Sequence, residues 1–210
     1  MTRILIADDH EVVRRGLKDI LADEFDKVQV GEARTSPETL EAALKQNWDL
    51  VLLDINMPGR SGLEVLEELK RLRPKIPVLV LSAFSEEDYA LRSLKLGASG
   101  YLTKQSASDE LRAAVRKLMA GGKYVTSTLA EKLAASLAGA SPATPHEALS
   151  NRELQVLRLI AVGKTVKEIA AELSLSEKTV GTYRTRISDK MGLGTNVELT
   201  RYALQHKLVD

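Results

Sequence analysis

Short apolar runs alternate with segments of helical periodicity over the first 120 residues of the chain. Apolar runs of this length, flanked by turn residues, are typical of strands buried in a sheet, whereas apolar positions spaced three and four apart indicate helices. The strand-like runs are residues 3–7, 27–31, 50–53, 77–82 and 99–103. Because a helical segment follows each run, the pattern predicts a parallel sheet with helices on both faces.

The same periodicity predicts the buried face and the ends of each helix. Leu40 and Leu44 should form the inner face of the second helix, which Ser36 opens. Ser85 is expected to cap the fourth helix, and the fifth should end before Gly121.

Four of the five predicted strands end beside a residue that can carry chemistry. These residues are Asp8 with Asp9, Asp54, Ser82 and Lys104. A single aspartate at the end of a strand is more often part of a turn or a helix cap. In a doubly wound sheet, however, the carboxyl ends of the strands converge on one edge, so we expect these side chains to form one site.

This set of side chains predicts phosphoryl-transfer chemistry. Three gathered carboxylates repel one another unless a cation joins them, and their hard oxygen atoms suit Mg²⁺. One carboxylate could then attack a phosphorus centre, while the metal and Lys104 neutralise the phosphoryl oxygens and the Ser82 hydroxyl donates to one of them. We interpret His10 as a helix-start residue and assign it no role.

Composition and charge exclude several other classes of protein. The 210 residues are 44% hydrophobic and 28% charged, with a net charge of +1, so no global attraction to nucleic acid or membrane is expected. The absence of cysteine excludes disulfides and thiolate metal sites. No apolar run approaches the length of a signal peptide or a membrane span, so we expect a cytoplasmic protein with no membrane partner.

A change in composition separates two predicted domains. Leu129, Leu133 and Leu137 indicate a short helix, and the segment GASPATP at residues 139–145 is typical of a flexible, exposed linker. We therefore predict one domain at residues 1–122, a linker at 123–147 and a second domain at 148–210.

The second domain carries the signals of consecutive helix starts. Capping boxes are found at residues 150–153, 165–168 and 195–198, and Ser176 should cap a further helix that runs to Met191. The last helix should bury Leu199, Ala203 and Leu204. Two short helices joined by a tight turn predict a helix-turn-helix, although an ordinary helical bundle would show the same pattern. The segment carries 10 Lys/Arg and 7 Asp/Glu, a net +3 in the direction expected of a DNA-binding domain.

Residues 1 to about 120 resemble the receiver domain of two-component response regulators. The resemblance rests on Asp8-Asp9, Asp54 with Met57-Pro58-Gly59, Ser82-Ala83, Tyr101 and Lys104. It implies an α/β fold of the flavodoxin-like, doubly wound kind, with five parallel strands in the order 2-1-3-4-5.

The receiver resemblance also implies roles for individual residues. Asp54 would be phosphorylated by a sensor histidine kinase. Mg²⁺ would be held by Asp9, Asp54 and the main-chain carbonyl of Asn56, with Asp8 acting through water. Ser82 and Tyr101 match the pair that changes position on phosphorylation.

Nearly all of residues 148–208 resembles the LuxR-type DNA-binding domain of the NarL/FixJ response regulators. The matching stretch begins LSNRELQVLRLIAVGKTVKEIAAELSLSEKTVGTYRTRISDKMG. The resemblance implies an all-α domain of four helices, whose third helix lies in the major groove of double-stranded DNA.

The third helix of this domain supplies the expected DNA contacts. We assign Lys178, Arg186 and Lys190 to phosphates, which provide affinity without sequence preference. Base preference is assigned to Thr182, Arg184 and Thr185. Thr179 and Gly181 complete the set. Gly181 stands where relatives often carry a long side chain, so it either permits close backbone approach or shifts recognition to its neighbours.

The leading functional hypothesis is a phosphorylation-controlled transcription regulator. Phosphorylation would promote a homodimer through the first and last receiver helices, at residues 10–23 and 106–120, and RNA polymerase is a further candidate partner. Such a protein is not a conventional enzyme, since it catalyses only its own phosphotransfer and dephosphorylation. The alternatives are a phosphatase that works through an aspartyl-phosphate, and a phosphorelay module without DNA binding.

Overall fold

The computed structural model describes residues 1–57, 60–83, 86–106, 108–126, 129–131, 133–134, 144–206 and 208–209. The chain divides into two units, Met1–Gly139 and Ala140–Asp210. Several predictions fall outside the described residues: the Pro58-Gly59 turn, the Ser85 cap, Leu137 and most of the GASPATP segment. None of the described helices combines the length and the apolar character that a membrane crossing requires.

The first unit is built on a parallel sheet of five strands. They are β1 (Thr2–Ala7), β2 (Val28–Ala33), β3 (Leu50–Asp54), β4 (Val78–Ser82) and β5 (Gly100–Thr103). Their order across the sheet is β2-β1-β3-β4-β5, and every neighbouring pair is parallel. The predicted fold class and strand order are thus confirmed. The central strands β3 and β4 are buried at every position, which explains their uninterrupted apolar sequences.

Five helices of the first unit alternate with these strands. They are α1 (Glu11–Glu24), α2 (Ser36–Lys45), α3 (Gly62–Leu72), α4 (Glu86–Lys95) and α5 (Ser108–Met119). Residues 129–131 and 133–134 are also helical, and Leu129 is buried.

The prediction for the inner face of α2 was wrong for Leu44, although Leu40 is half-buried. Leu44 is 45% exposed, whereas the buried residues of this helix are Ser36, Thr39 and Ala43. These small side chains are spaced three and four apart, so they define a continuous helical face. The Thr39 hydroxyl donates to the carbonyl of Thr35 at 2.8 Å, which satisfies its polar group inside the core. Apolar periodicity alone missed most of this stripe because its buried side chains are small.

The second unit contains a short 3-10 helix (Pro145–Ala148) and four α-helices. These are α6 (Asn151–Ala161), α7 (Val166–Glu172), α8 (Glu177–Met191) and α9 (Asn196–Gln205). All three predicted capping boxes are present, so the predicted helix starts are confirmed. The helix α8 ends at Gly192, whose φ of 67° is left-handed, the backbone conformation that glycine adopts most easily.

The last helix departs from its predicted pattern at one residue. Leu199 and Ala203 are buried as expected, but Leu204 is 51% exposed. It follows Ala203 by one position, which rotates it about 100° away from the buried stripe. Core contacts at this end come instead from an aromatic group: the ring of Tyr202 stacks on that of His206 at 4.2 Å, and its hydroxyl lies 2.9 Å from Nδ1 of the buried His146.

Candidate functional sites

The carboxyl ends of three strands bring four side chains together at one edge of the sheet. Asp8 and Asp9 follow β1, Asp54 is the last residue of β3, and Lys104 follows β5. The Lys104 ammonium group lies 2.7 Å from Asp8 Oδ2 and 2.9 Å from Asp54 Oδ2. We call these four residues the acidic site. The sheet order explains it, because β1 and β3 are neighbours and β5 lies two strands from β3.

Burial and close charges shift the pKa values of Asp54 and Lys104 in the acidic site. Asp8 and Asp54 are fully buried, and Lys104 is largely covered. Burial raises the pKa of Asp54 and the neighbouring Asp8 charge raises it further, although Lys104 opposes both effects. Burial alone would lower the pKa of Lys104, but the charges and hydrogen bonds of Asp54 and Asp8 outweigh it and raise that pKa overall.

The residues of the acidic site fit a divalent metal ion. Three carboxylates and one ammonium group leave a formal charge of −2, which a single divalent cation would neutralise. Asp8, Asp9, His10 and Asp54 each offer one ligand atom, and these atoms lie within 4.8 Å of one another. The chain could therefore hold a metal ion here, as the sequence predicted.

The backbone beside Asp54 is fixed from two directions. The main-chain N–H of Asn56 donates to Asp54 Oδ1 at 3.1 Å, which directs the carboxylate toward the loop. Gly62, the first residue of α3, leaves no room for a side chain: a Cβ atom there would lie 2.2 Å from the carbonyl oxygen of Asp54. The chain can therefore pass this close to the Asp54 backbone only at a glycine.

Ser82 and Tyr101 occupy the two strands beyond Asp54. Ser82 is the last residue of β4 and is fully buried, and its main-chain carbonyl accepts from Lys104 N–H at 2.7 Å. Tyr101 lies within β5, opposite Val80 in the register, and its side chain is buried as well. Of the two, Ser82 lies at the strand end that carries the acidic site.

Two residues of this region were not assigned a role from the sequence. The ring of His10 lies beside the acidic site, with Nδ1 2.8 Å from Asp9 Oδ1. Arg14 is fully buried; its Nε donates to Glu32 Oε2 at 2.9 Å, and one terminal nitrogen donates to the main-chain carbonyl of Asp8 at 2.9 Å. Lys18 and Arg14 together lower the pKa of Glu32 through hydrogen bonds. Arg14 thus anchors the turn that carries Asp8 and Asp9.

A sequence signal for Arg14 existed, because it lies at helical spacing with Leu17 and Leu21, which are both buried. A charged residue on an otherwise apolar helical face needs a buried partner. Here the partners are a carboxylate and a carbonyl oxygen at the end of β1.

The helices α7 and α8 form the predicted helix-turn-helix. The turn between them contains Ser174, whose φ of 52° is left-handed. The hydroxyl of Ser176 then caps α8 by accepting from the N–H of Thr179 at 3.1 Å. Val180, Ile187 and Met191 bury one side of α8 in the unit.

The opposite side of α8 is open to solvent. Lys178, Thr182, Thr185 and Arg186 are exposed there, and we call this surface the outer face. Gly181 lies beside it and is half-buried, and a Cβ atom added to it would meet no other atom within 4 Å. The Thr182 and Thr185 hydroxyls donate to the carbonyls one turn earlier, at 3.1 and 3.2 Å, which leaves their oxygen lone pairs available as acceptors.

Two basic residues of α8 form polar contacts within the unit. Arg184 Nε donates to Asn196 Oδ1 at 2.6 Å. Lys190 Nζ lies 2.6 Å from Oε2 of the buried Glu153, which also accepts from the main-chain N–H of Ser150. Burial would raise the pKa of Glu153, but these hydrogen bonds and the Lys190 charge lower it overall. A contact between Lys190 and a phosphate would have to compete with this pair.

A doubly wound domain with an acidic site, followed on the same chain by a helix-turn-helix, defines a class of signal-responsive DNA-binding proteins. The family model described as "Response regulator receiver domain" matches residues 4–116. The model described as "Bacterial regulatory proteins, luxR family" matches residues 147–203. The chain belongs to the response regulators that join a receiver domain to a luxR-type DNA-binding domain. This confirms the prediction of a two-component, DNA-binding transcription regulator.

Similar proteins cover the chain from end to end. Response regulator GacA of Pseudomonas protegens is 39% identical over 100% of this chain and 99% of its own length. A structure of RcsB from Salmonella enterica serovar Typhimurium, bound to promoter rprA in the presence of phosphomimetic BeF3-, has a TM-score of 0.67 at 29% identity, covering 96% of this chain and 97% of RcsB. A structure of two RcsB dimers bound to two parallel DNAs has a TM-score of 0.59 at 28% identity, covering 96% and 97%.

Proposed function

We propose that Asp54 accepts a phosphoryl group from a sensor histidine kinase and that this modification controls the binding of double-stranded DNA by α8. The observation that carries the proposal is the pairing of the buried Asp54 with Lys104 and Asp8 at the strand ends of a receiver domain. The helix-turn-helix on the same chain gives this modification an output.

The transfer needs an ionised Asp54 despite its burial. Lys104 supports the charged carboxylate against desolvation and against Asp8. One Asp54 oxygen forms a bond to phosphorus as the bond between phosphorus and the kinase histidine nitrogen breaks, and the electron pair of that bond stays on the nitrogen. Lys104 then faces the phosphoryl oxygens, and the Ser82 hydroxyl donates to one of them.

Metal assistance fits the same residues. Asp9, Asp54 and the main-chain carbonyl of Asn56 would hold Mg²⁺, with Asp8 acting through water. The bound ion would supply positive charge opposite the phosphoryl oxygens. Ser82 and Tyr101 would move together after the transfer and carry the change to the surface of the receiver domain.

On the DNA side, the outer face of α8 would enter the major groove. Lys178, Arg186 and Lys190 would contact phosphates, and Thr182, Arg184 and Thr185 would face the bases, with Thr179 and Gly181 at the same surface. The RcsB structure with bound promoter supports this output, since that protein shares the fold over nearly its whole length.

The domain limits we propose are residues 1–122 for the receiver domain, 123–147 for the linker and 148–210 for the DNA-binding domain.

Phosphorylation would favour a homodimer through α1 and α5. The protein would act in the cytoplasm, with RNA polymerase as a further partner. In support of the dimer, Val12 on α1 is a highly exposed apolar residue, and RcsB forms dimers on DNA. Two half-sites would multiply the few base contacts of one helix.

Intact-mass measurements with acetyl phosphate and Mg²⁺ test the acceptor. Wild-type protein should gain one phosphoryl group, Asp54→Asn should gain none, and Asp26→Asn, which removes an exposed carboxylate, should behave as wild type. Labelling of Asp54→Asn at the wild-type rate would refute the assignment.

A DNA titration with and without beryllofluoride tests whether phosphorylation controls DNA binding. Equal affinity in both states would show that it does not.

A further inference from the structure

The position of His10 is fixed by its backbone, not by a helix cap. Its main-chain N–H donates to Asp8 Oδ1 at 2.8 Å, and it occupies the N-cap position of α1 without a capping bond from its side chain. The imidazole instead turns toward the carboxylates. Its Nδ1 lies 2.8 Å from Asp9 Oδ1 and 3.4 Å from Asp8 Oδ1, while the side chain as a whole is 62% exposed. The Nδ1 edge of the ring therefore lies against the carboxylates while most of the side chain is open to solvent.

The distances between the ligand atoms of His10 and the three carboxylates suit a single six-coordinate ion. With metal–ligand distances of about 2.1 Å, adjacent ligand atoms of an octahedron lie about 3 Å apart and opposite ones about 4.2 Å apart. The ligand atoms of Asp8, Asp9, His10 and Asp54 all lie within 4.8 Å of one another. One ion could thus contact the imidazole nitrogen and the carboxylates after small side-chain movements.

We propose that His10 is a direct nitrogen ligand for a first-row transition-metal dication in the acidic site. This rests on the metal site of the proposed function and adds a ligand to it. Imidazole is a preferred ligand for such ions, whereas Mg²⁺ favours oxygen and keeps its water shell. His10 therefore strengthens the binding of Mn²⁺ or Zn²⁺ and contributes little to that of Mg²⁺.

The close approach of the His10 ring to Asp9 does not oppose this arrangement. Without a metal ion, Nδ1 lies 2.8 Å from Asp9 Oδ1, a buried oxygen that has no hydrogen-bond partner among the described residues. When an ion binds, Nδ1 presents its lone pair to the metal and the other ring nitrogen carries the proton. The Asp9 oxygen becomes a ligand of the same ion, so the ion supplies the partner that this buried oxygen lacks.

Manganese binding to the full-length chain tests the proposal by electron paramagnetic resonance. Loss of the free-ion signal gives the Mn²⁺ affinity, and competition gives the Mg²⁺ affinity. Even residues that only hydrogen-bond to a metal ligand change affinity by about 10–100-fold, so His10→Ala should weaken Mn²⁺ binding at least about tenfold and Mg²⁺ binding no more than about twofold. Pulsed spectra of the wild-type Mn²⁺ complex should show modulation from a bound imidazole nitrogen, and His10→Ala should lack it.

The other two histidines provide the matched control. His146 and His206 lie in the second unit with ring centroids 5.5 Å apart, and neither belongs to the acidic site. His206→Ala should keep both the tight Mn²⁺ site and the nitrogen modulation. Thermal unfolding without metal checks the fold of each variant, and His10→Gln repeats the test if His10→Ala is unstable.

The outcomes separate this inference from the proposed function. Wild-type protein that binds both ions but shows no nitrogen modulation, or that loses Mn²⁺ and Mg²⁺ affinity equally in His10→Ala, would overturn the role of His10 alone. If neither ion binds the wild-type site, or if binding persists in Asp54→Ala, the metal site of the proposed function fails as well.

Discussion

The acidic site of the first unit and the outer face of α8 in the second hold their polar side chains in opposite ways. In the acidic site, the side chains of Asp8 and Asp54 are buried and joined by one ammonium group. On the outer face, Lys178 and Arg186 extend into solvent from a helix that is fixed by its other side. Burial fixes the positions of charged groups, which favours a chemical reaction at one point. Exposed charges can instead reach the phosphates of an extended partner.

The two sites also differ in the space around a glycine of the backbone, Gly62 in the first and Gly181 in the second. A Cβ atom at Gly62 would meet main-chain atoms of Asp54 and Ile55, whereas one at Gly181 would meet nothing within 4 Å. The first site has no room for an added atom beside Asp54, and the second has empty space beside the helix.

The largest expected effect comes from Gly62→Ala. The added methyl group would lie 2.2 Å from the Asp54 carbonyl oxygen, so α3 and the loop before it must move. Overpacking of this kind costs about 1–3 kcal/mol, occasionally more, and here it also displaces the Asp54 backbone. Chemical unfolding and the rate of labelling by acetyl phosphate should both show a loss. Wild-type values for both would show that the close approach is not needed.

Removing the buried charge should have the opposite effect on stability. Folding raises the pKa of Asp54, so the folded state binds this proton more tightly, and stability is lost as the pH rises through the folded pKa. Asp54→Asn without metal should therefore raise the unfolding midpoint at neutral pH by about 2–8 °C, the shift that about 1 kcal/mol causes in domains of this size. The difference should shrink in acid, and a constant difference at every pH would rule out the Asp54 charge as its cause.

Two lysines of α8 should separate affinity from stability. Lys178→Ala removes an exposed charge and should reduce the salt dependence of DNA binding by about one unit of slope, with no change in unfolding. Lys190→Ala leaves the buried Glu153 without its ammonium partner and should lower the free energy of unfolding by about 1–3 kcal/mol. If Lys190→Ala reduces the salt slope as much as Lys178→Ala, then Lys190 leaves Glu153 to contact a phosphate.

The smallest expected effect is that of Gly181→Ala. The position is helical and has room for a methyl group, so the exchange should stabilise the second unit by about 0.5–1 kcal/mol. Thermal unfolding and DNA titration of the same protein measure the two effects together. A loss of DNA affinity despite this gain would show that the DNA backbone approaches the helix at this glycine.

The sequence was informative wherever one physical rule decided the outcome. Parallel strands place their carboxyl ends on one edge, so the apolar runs that precede Asp54 and Lys104 were sufficient to predict the acidic site. Capping boxes depend only on neighbouring residues, so the starts of α6, α7 and α9 were predicted as well. Leu44 was misplaced because the buried stripe of α2 consists of small side chains that apolar periodicity does not detect. Leu204 was misplaced because the buried stripe of α9 runs through Leu199 and Ala203, one position away.

Long-range pairs between polar residues were beyond the reach of the sequence. The partners Glu153 and Lys190 are 37 positions apart, and the capping box already accounted for Glu153. The position of Arg14 on an apolar helical face indicated a buried partner, but nothing in its own segment pointed to Glu32, 18 positions away. Contacts of this kind depend on the packing of elements, which local patterns do not specify.

Glu153 makes two separate sets of contacts, which limits the substitutions that this position can accept. Glu153 closes its own helix cap and holds the end of α8 through Lys190, whereas Glu168 and Glu198 show only cap and neighbouring main-chain hydrogen bonds among the described residues. Glutamine would keep the cap and lose the ion pair, and aspartate would shorten the reach toward both partners. Among related sequences, substitutions at Glu153 should therefore be rarer than at Glu168 or Glu198. Where Glu153 is replaced, Lys190 should be replaced as well.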